Sequence, residues 1–233
     1  MNLLAFDTST ETLSAAVQRD GRVIAQEDAA GGAHASATLI PLLLSLVARA
    51  SLELAQLDAI VFGRGPGSFT GLRTACAVAQ GLGFGAKVPV LGIETLLAMA
   101  EDARERHGVT QVVAVLDARM NEVYTARYRH DGAMWHRDGT IVLARPQAVD
   151  VPAGWALAGN AFAAYGEQLP RHVPHLDAAP TATAMLRIAP QLIASGEAHD
   201  PAQATPVYIR DKVAQTTEER AAARSLAAPG SSS

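Results

Sequence analysis

The 233-residue chain has a single cysteine, Cys76. No internal disulfide can form, which fits a reducing compartment. Charge is sparse at 18% of residues, and the 19 Lys and Arg are scattered against 23 Asp and Glu. A protein that grips nucleic acid unaided carries a basic patch, so autonomous RNA or DNA binding is not expected. No apolar run reaches membrane-spanning length. Asp7 interrupts the apolar start too early for a secretory leader. A cytoplasmic protein is the expectation. No histidine pair has the i, i+4 spacing of a helical metal site, among positions 34, 107, 130, 136, 172, 175 and 199. No Gly-Lys-Ser/Thr ends a glycine-rich loop, so a Walker-type phosphate loop is excluded. The 49% of apolar residues is ample for a core.

The most informative stretch present is Gly63-Arg-Gly-Pro-Gly-Ser-Phe-Thr-Gly-Leu-Arg-Thr74. An apolar run at 57–62 leads into it and a helical pattern of small residues leaves it. The glycines allow close backbone approach, and Ser68 or Thr70 can cap the helix that follows. The loop suits an anion at a helix N-terminus, or a tight turn shaped for packing.

The first half reads as strands at 2–6, 13–19 and 22–26, the latter two joined by an Asp20-Gly21 turn. A Gly/Ala loop at 29–33 follows. Then come a helix at 36–50, a strand at 57–63, a helix at 70–85, a strand at 88–93 and a helix at 95–107 stopped by Gly108. The pattern then restarts, with strands at 112–116, 122–129 and from 133. Asp117 answers Asp7, and Asp131-Gly132 answers Asp20-Gly21. Less regular elements follow: a strand at 155–158, helices at 161–168 and 181–195, and a short strand at 207–210. Two such halves predict an α/β, actin-like (ribonuclease-H-like) tandem of two subdomains with mixed sheets flanked by helices. The boundaries read as 1–109 and 110–212, with a mobile tail at 213–233. Asp7, Thr8, Ser9 and Thr10, on the first hairpin, are candidates for a phosphate in the cleft or for ordinary turn chemistry.

The helix at 36–50 is apolar almost all round. Leu39, Leu43, Leu46 and Ala50 form one stripe, Ile40, Leu44 and Val47 another, and Leu42 lies away from both. One core needs only one face. The helix at 70–85 carries Ala75, Ala77, Ala79, Gly81, Gly83 and Gly85, which allow close approach. Together they suit either a core layer continued into a partner or a helix pair enclosed in one domain.

Five blocks occur in order: Leu4-Ala-Phe-Asp-Thr-Ser-Thr10; His34-Ala-Ser36 with Leu39 and Pro41; Gly65-Pro-Gly-Ser-Phe-Thr-Gly-Leu-Arg73; Asp117-Ala-Arg119 with Glu122-Val-Tyr124; and Pro206-Val-Tyr-Ile-Arg210. On these the chain resembles the bacterial TsaB family, over about residues 1–212. The resemblance implies a non-catalytic subunit of the machinery that forms threonylcarbamoyladenosine in tRNA. The related subunit TsaD makes the transfer to N6 of the adenosine following the anticodon, using a metal held by a His-x-x-x-His helix. The corresponding stretch here, 92–99, has no histidine. An ATPase subunit, TsaE, completes the set. ATP and metal are therefore expected on partner subunits, and tRNA contact only through the complex. The helices of the first subdomain are the expected surface for TsaD and for a homodimer, through His34, Leu39, Leu42, Leu43, Leu46, Ser68, Phe69, Thr70, Leu72, Arg73, Cys76, Ala77 and Gln80. An actin-like small-molecule phosphotransferase is the alternative, and a metallopeptidase a weaker one.

Overall fold

The computed structural model describes residues 1–32 and 35–210. His34 and the tail from 211 onward lie outside the described residues.

The chain builds the same sheet twice. Strands β1 (Leu3–Asp7), β2 (Thr12–Arg19) and β3 (Arg22–Ala30) form an antiparallel meander. After helix α1 (Ala35–Arg49), β4 (Ala59–Gly65) returns parallel to β1. Helix α2 (Phe69–Ala86) then leads to β5 (Val90–Glu94), parallel to β4. The resulting order is β3-β2-β1-β4-β5. Helix α3 (Thr95–His107) carries the chain into the second copy. There β6 (Gln111–Arg119), β7 (Glu122–His130) and β8 (Trp135–Ala144) repeat the meander. Strands β9 (Ala156–Gly159) and β10 (His175–Asp177) add in parallel, giving the order β10-β9-β6-β7-β8. Strand for strand, the second sheet reproduces the first, as an internal duplication requires. The fold is an α/β, actin-like, ribonuclease-H-like tandem.

Each sheet follows from its apolar runs. β1 reads Leu-Leu-Ala-Phe-Asp and is buried along its whole length, as a strand covered on both faces must be. Asp20 and Gly21 both take positive φ, 51° and 79°, in the two-residue turn between β2 and β3. On one face of the first sheet, α1 and α2 enclose a core with Leu4, Phe6, Ile60 and Phe62. The other face is covered from the far half of the chain. Helix α5 (Ala182–Ala194) packs Ala182, Met185, Leu186 and Ala189 against Leu3, Ala5, Val61 and Ile93. Reciprocally, α3 packs Leu96, Met99 and Ala103 against Val112, Ala114, Leu116 and Tyr128 of the second sheet. The two lobes thus exchange helices, and the break after residue 109 separates sheets but not cores.

Several boundaries depart from the sequence reading. β3 runs past the expected end at 26 and takes in the first two residues of the Gly/Ala loop expected at 29–33, because its outer face is solvent-exposed and tolerates Gln26, Glu27 and Asp28. The expected helix at 161–168 is one turn, α4 (Phe162–Tyr165), with no side-chain cap. β10 was not foreseen: three residues between Pro174 and Pro180 are too short to show a period. Residues 207–210 form no strand. Only the Val207 N–H, donating to the Arg64 carbonyl at 2.7 Å, ties that backbone to the first sheet. Ser36 lies within α1 and is not its cap. No helix among the described residues is long and apolar enough to cross a membrane.

Candidate functional site

The glycine-rich loop and the first hairpin form one interlocked unit. Thr8 Oγ1 donates to the Gly71 carbonyl at 2.7 Å, and the Ser68 N–H donates to the Ser9 carbonyl at 2.8 Å. Gly63 lies over the Asp7 carboxylate, Gly67 over Ser9 and Gly71 over Thr8. A Cβ at Gly63 or Gly71 would fall 1.8 Å from Asp7 Oδ2 or from the Thr8 carbonyl oxygen. The loop glycines thus serve close packing of one backbone on another. Ser68 caps α2, accepting from the Gly71 N–H, as its place before the helix predicts.

Of the two readings of the hairpin candidates, phosphate donors or ordinary turn residues, the hydrogen bonds found are those of the turn. Asp7, Thr8 and Ser9 are buried. Asp7 Oδ1 accepts from the Ser9 N–H at 2.8 Å and from Ser9 Oγ at 2.6 Å. Thr10 Oγ1 donates to the Thr12 carbonyl and accepts from its N–H. Asp7, Thr8 and Thr10 therefore spend their side chains inside the hairpin and loop. Only Ser9 and Thr10 reach the cleft wall. Burial pushes the Asp7 carboxyl up to about 6, partly offset by the two Ser9 hydrogen bonds, and Oδ2 has no partner.

Between the lobes lies a cleft of about 480 Å³, lined by both hairpins, the loop at 66–69 and residues 207–210. Asp117 repeats the Asp7 geometry, its Oδ1 accepting from the Arg119 N–H at 2.7 Å. Arg119 then crosses to Glu11 at 2.7 Å, so an ion pair joins the two hairpin tips. Arg119, Met120 and Asn121 all have φ near +60° (61°, 57° and 58°), an uncommon run for residues with side chains. Arg210 closes the far side, 2.7 Å from Glu122 and 3.0 Å from the Ala118 carbonyl. Arg210 and Glu122 stand in separate motif blocks, and a separation of 88 positions conceals their pairing in the sequence.

The outer surface of α1 and α2 is the second feature. Leu39, Leu43, Leu46 and Cys76 point into the first-lobe core, Leu42 packs half-buried against it, and Leu72 is buried beside Gly65 at the cleft wall. Their assignment to a docking surface is corrected. The helix phase, read from sequence, was turned inward. Burial pushes the Cys76 thiol up to about 11, so it is an inert core group. The exposed apolar residues are instead Ile40 and Leu44 on α1 and Phe84 on α2, at 43%, 44% and 58%. Along α2, Thr70, Arg73, Ala77, Gly81 and Phe84 form the outward stripe, with Gly85 beside it. Phe69, Ser68 and Gln80 are partly buried. Arg73 lies 3.9 Å above the Phe69 ring and donates to Tyr208 Oη. Gln80 Nε2 donates to the Ala204 carbonyl. Gly83 is needed internally, since a Cβ there would meet Pro201 at 2.7 Å. Gly81 and Gly85 face open space.

Within the 92–99 stretch, which has no histidine, Thr95 and Met99 are fully buried, Met99 in the apolar core of the second lobe. Among the described residues no group of three or more His, Cys, Asp or Glu side chains is placed to hold an ion.

A duplicated sheet with its cleft between paired hairpins defines an actin-like protein. The family model described as TsaD, tRNA N6-adenosine threonylcarbamoyltransferase, matches residues 26–226. The TsaB protein of Escherichia coli K12 is 35% identical, covering 92% of this chain and 96% of that protein. The TsaB protein of Haemophilus influenzae is also 35% identical, with coverages of 91% and 95%. The solved structure of YeaZ from Pseudomonas aeruginosa is 38% identical, with a TM-score of 0.83 over 89% of this chain and 99% of that one. The chain belongs to the TsaD-type family, and within it to the TsaB proteins.

Proposed function

We propose that this chain takes part in forming threonylcarbamoyladenosine in tRNA, as a non-catalytic scaffold that activates a TsaD-type transferase. TsaE is the third subunit, and tRNA is met only through the assembly. The relatives named tRNA threonylcarbamoyladenosine biosynthesis proteins support the pathway. The observation that carries the scaffold reading is the outer face of α1 and α2. Mid-helix glycine costs about 1 kcal/mol relative to alanine. Gly81 bears that cost, and neither it nor Gly85, in the last turn, has a neighbour among the described residues to explain it. Exposed Ile40, Leu44 and Phe84 lie on the same two helices. Glycine lets a second backbone approach closely, and apolar side chains around it supply the area to be covered. The same face serves a homodimer that competes with TsaD.

The phosphotransferase reading loses support at the hairpin. Asp7 and Thr8, which would face a nucleotide phosphate, are buried, and Glu11–Arg119 spans the cleft mouth.

The test uses two kinds of substitution. Ala77→Glu should leave circular dichroism unchanged and lower TsaD affinity by roughly 100-fold, as loss of a central contact does. Gly81→Ala should act with opposite signs. It should stabilise the free chain by about 0.5–1 kcal/mol, because the added methyl meets nothing. It should also weaken the complex. Binding by both variants equal to the wild type, measured by calorimetry, would remove the docking face from this surface.

A further inference from the structure

We propose that two carboxylates, Glu94 at the start of α3 and Glu101 within it, latch the two lobes into a single rigid body, so that the cleft keeps a fixed width. The inference does not depend on the docking face.

Each carboxylate takes donors from both lobes. Glu94 stands at the junction of β5 and α3. Its Oε1 lies 2.6 Å from Arg137 Nη1 on β8 and 3.5 Å from Arg64 Nη2 on β4. Its Oε2 accepts from Tyr128 Oη on β7 at 2.9 Å. Thus sheet one, α3 and sheet two meet on one group. Glu101 is 2% exposed. It accepts from Arg104 Nε and Nη2, at 2.8 and 2.9 Å, from its own helix. From the second lobe, Trp135 Nε1 donates at 2.9 Å. From α5, whose apolar face lies on the first sheet, Arg187 Nε donates at 2.9 Å. A carboxylate this deeply buried is stable as an anion only while its donors stay in place. The guanidinium and indole donors hold its proton affinity below the ordinary carboxylate range, against the opposing effect of burial.

The spacing supplies the rigidity. Glu94 sits at the N-terminal end of α3 and Glu101 about two turns further along it, and both reach the same strand, β8. Their second-lobe partners Arg137 and Trp135 are two apart on β8, on one face of that strand. One bridge would leave a pivot. Two bridges along the helix resist rotation about any axis across it. The apolar contacts of α3 and α5 resist separation but can slide, whereas hydrogen bonds to buried charge have one register. A two-lobed protein that worked by opening and closing would gain nothing from pinning both crossing helices in this way. A platform that must hold surfaces of both lobes in fixed relation would.

Spin labels at exposed positions of opposite lobes, Arg22→Cys and Glu167→Cys in the full chain, test this directly. Electron–electron distance measurement should give one narrow population for the otherwise wild-type protein, unchanged by Mg-ATP. A broad or double distribution overturns the latch and does not require any destabilised variant. Glu94→Gln with Glu101→Gln should broaden it. Should that pair fail to fold, Arg137→Gln removes one bridge more gently. In a Trp155→Phe background, where Trp135 is the only tryptophan, Glu101→Gln should red-shift emission and raise acrylamide quenching several-fold. Hydrogen exchange should rise across β8 while β1 and β4 stay protected. A folded double variant with an undisturbed distance and wild-type Trp135 emission and quenching would also overturn the proposal.

Discussion

Gly71→Ala is expected to cost about 3 kcal/mol or more, at the upper end of what overpacking does. The new Cβ would sit 1.8 Å from the Thr8 carbonyl oxygen. Neither side can yield cheaply. Thr8 is fully buried, and its hydroxyl already binds the Gly71 carbonyl. Gly71 lies in the first turn of α2, so relief would have to move either the helix start or the hairpin after β1. In a chain of this size the melting temperature should fall by roughly 6–12 °C. Thermal unfolding followed by circular dichroism measures it. A near-wild-type transition would mean that the loop does not press on the hairpin as described. Gly81→Ala, ten residues along the same helix, is the internal control, because the methyl there meets open space.

Asp7→Asn should stabilise the protein at pH 7.5. The carboxyl has an ordinary value of 3.8 and is pushed up to about 6, chiefly by burial. The folded state therefore holds the proton more tightly than the unfolded chain. Stability from this group is full below about pH 4, declines as pH rises to about 6, and stays lowered above that. The interval corresponds to about 3 kcal/mol of penalty on the ionised form. Asparagine keeps the oxygen that accepts from Ser9 and removes the charge. Its amide takes the place of Oδ2, which has no partner, and that offsets part of the gain. A net gain of about 1–2 kcal/mol at pH 7.5, vanishing toward pH 4, is expected. Glu101 runs the other way, its stabilisation being lost as pH falls below 4.5, so the variant should be compared with the wild type at each pH. Parallel stability curves for the two proteins from pH 4 to 7.5 would show that Asp7 is not the group responsible.

Much of the fold was legible because its signals are local. The restart of the strand pattern at 112, and the recurrence of Asp7 as Asp117 and of Asp20-Gly21 as Asp131-Gly132, fixed the duplication. The structure makes the first match concrete, since both aspartates accept from the N–H two residues on. The exchange of α3 and α5 between lobes was not legible, because nothing in the apolar stripe of α5 says which sheet it covers. The site was read only in part. The glycine loop was found at once. Its role as a packing partner of the hairpin depends on contacts between residues 63–71 and 7–9, which no spacing reveals. The apolar excess of α1 was legible too, but not which of its sides faces outward. α1 has apolar residues on every side, so period alone could not distinguish Leu42 and Leu43 from Ile40 and Leu44. The buried face is decided by α2 and the sheet, which are distant in sequence.

The central claim is that this chain serves the transfer without performing it. The direct measurement is formation of threonylcarbamoyladenosine on tRNA from the threonylcarbamoyl adenylate, with purified TsaD and TsaE, with and without this chain, read by nucleoside mass spectrometry. The account predicts modified adenosine only when TsaD and this chain are both present, and none with this chain alone. Product from this chain without TsaD, or undiminished product from TsaD without this chain, would contradict it.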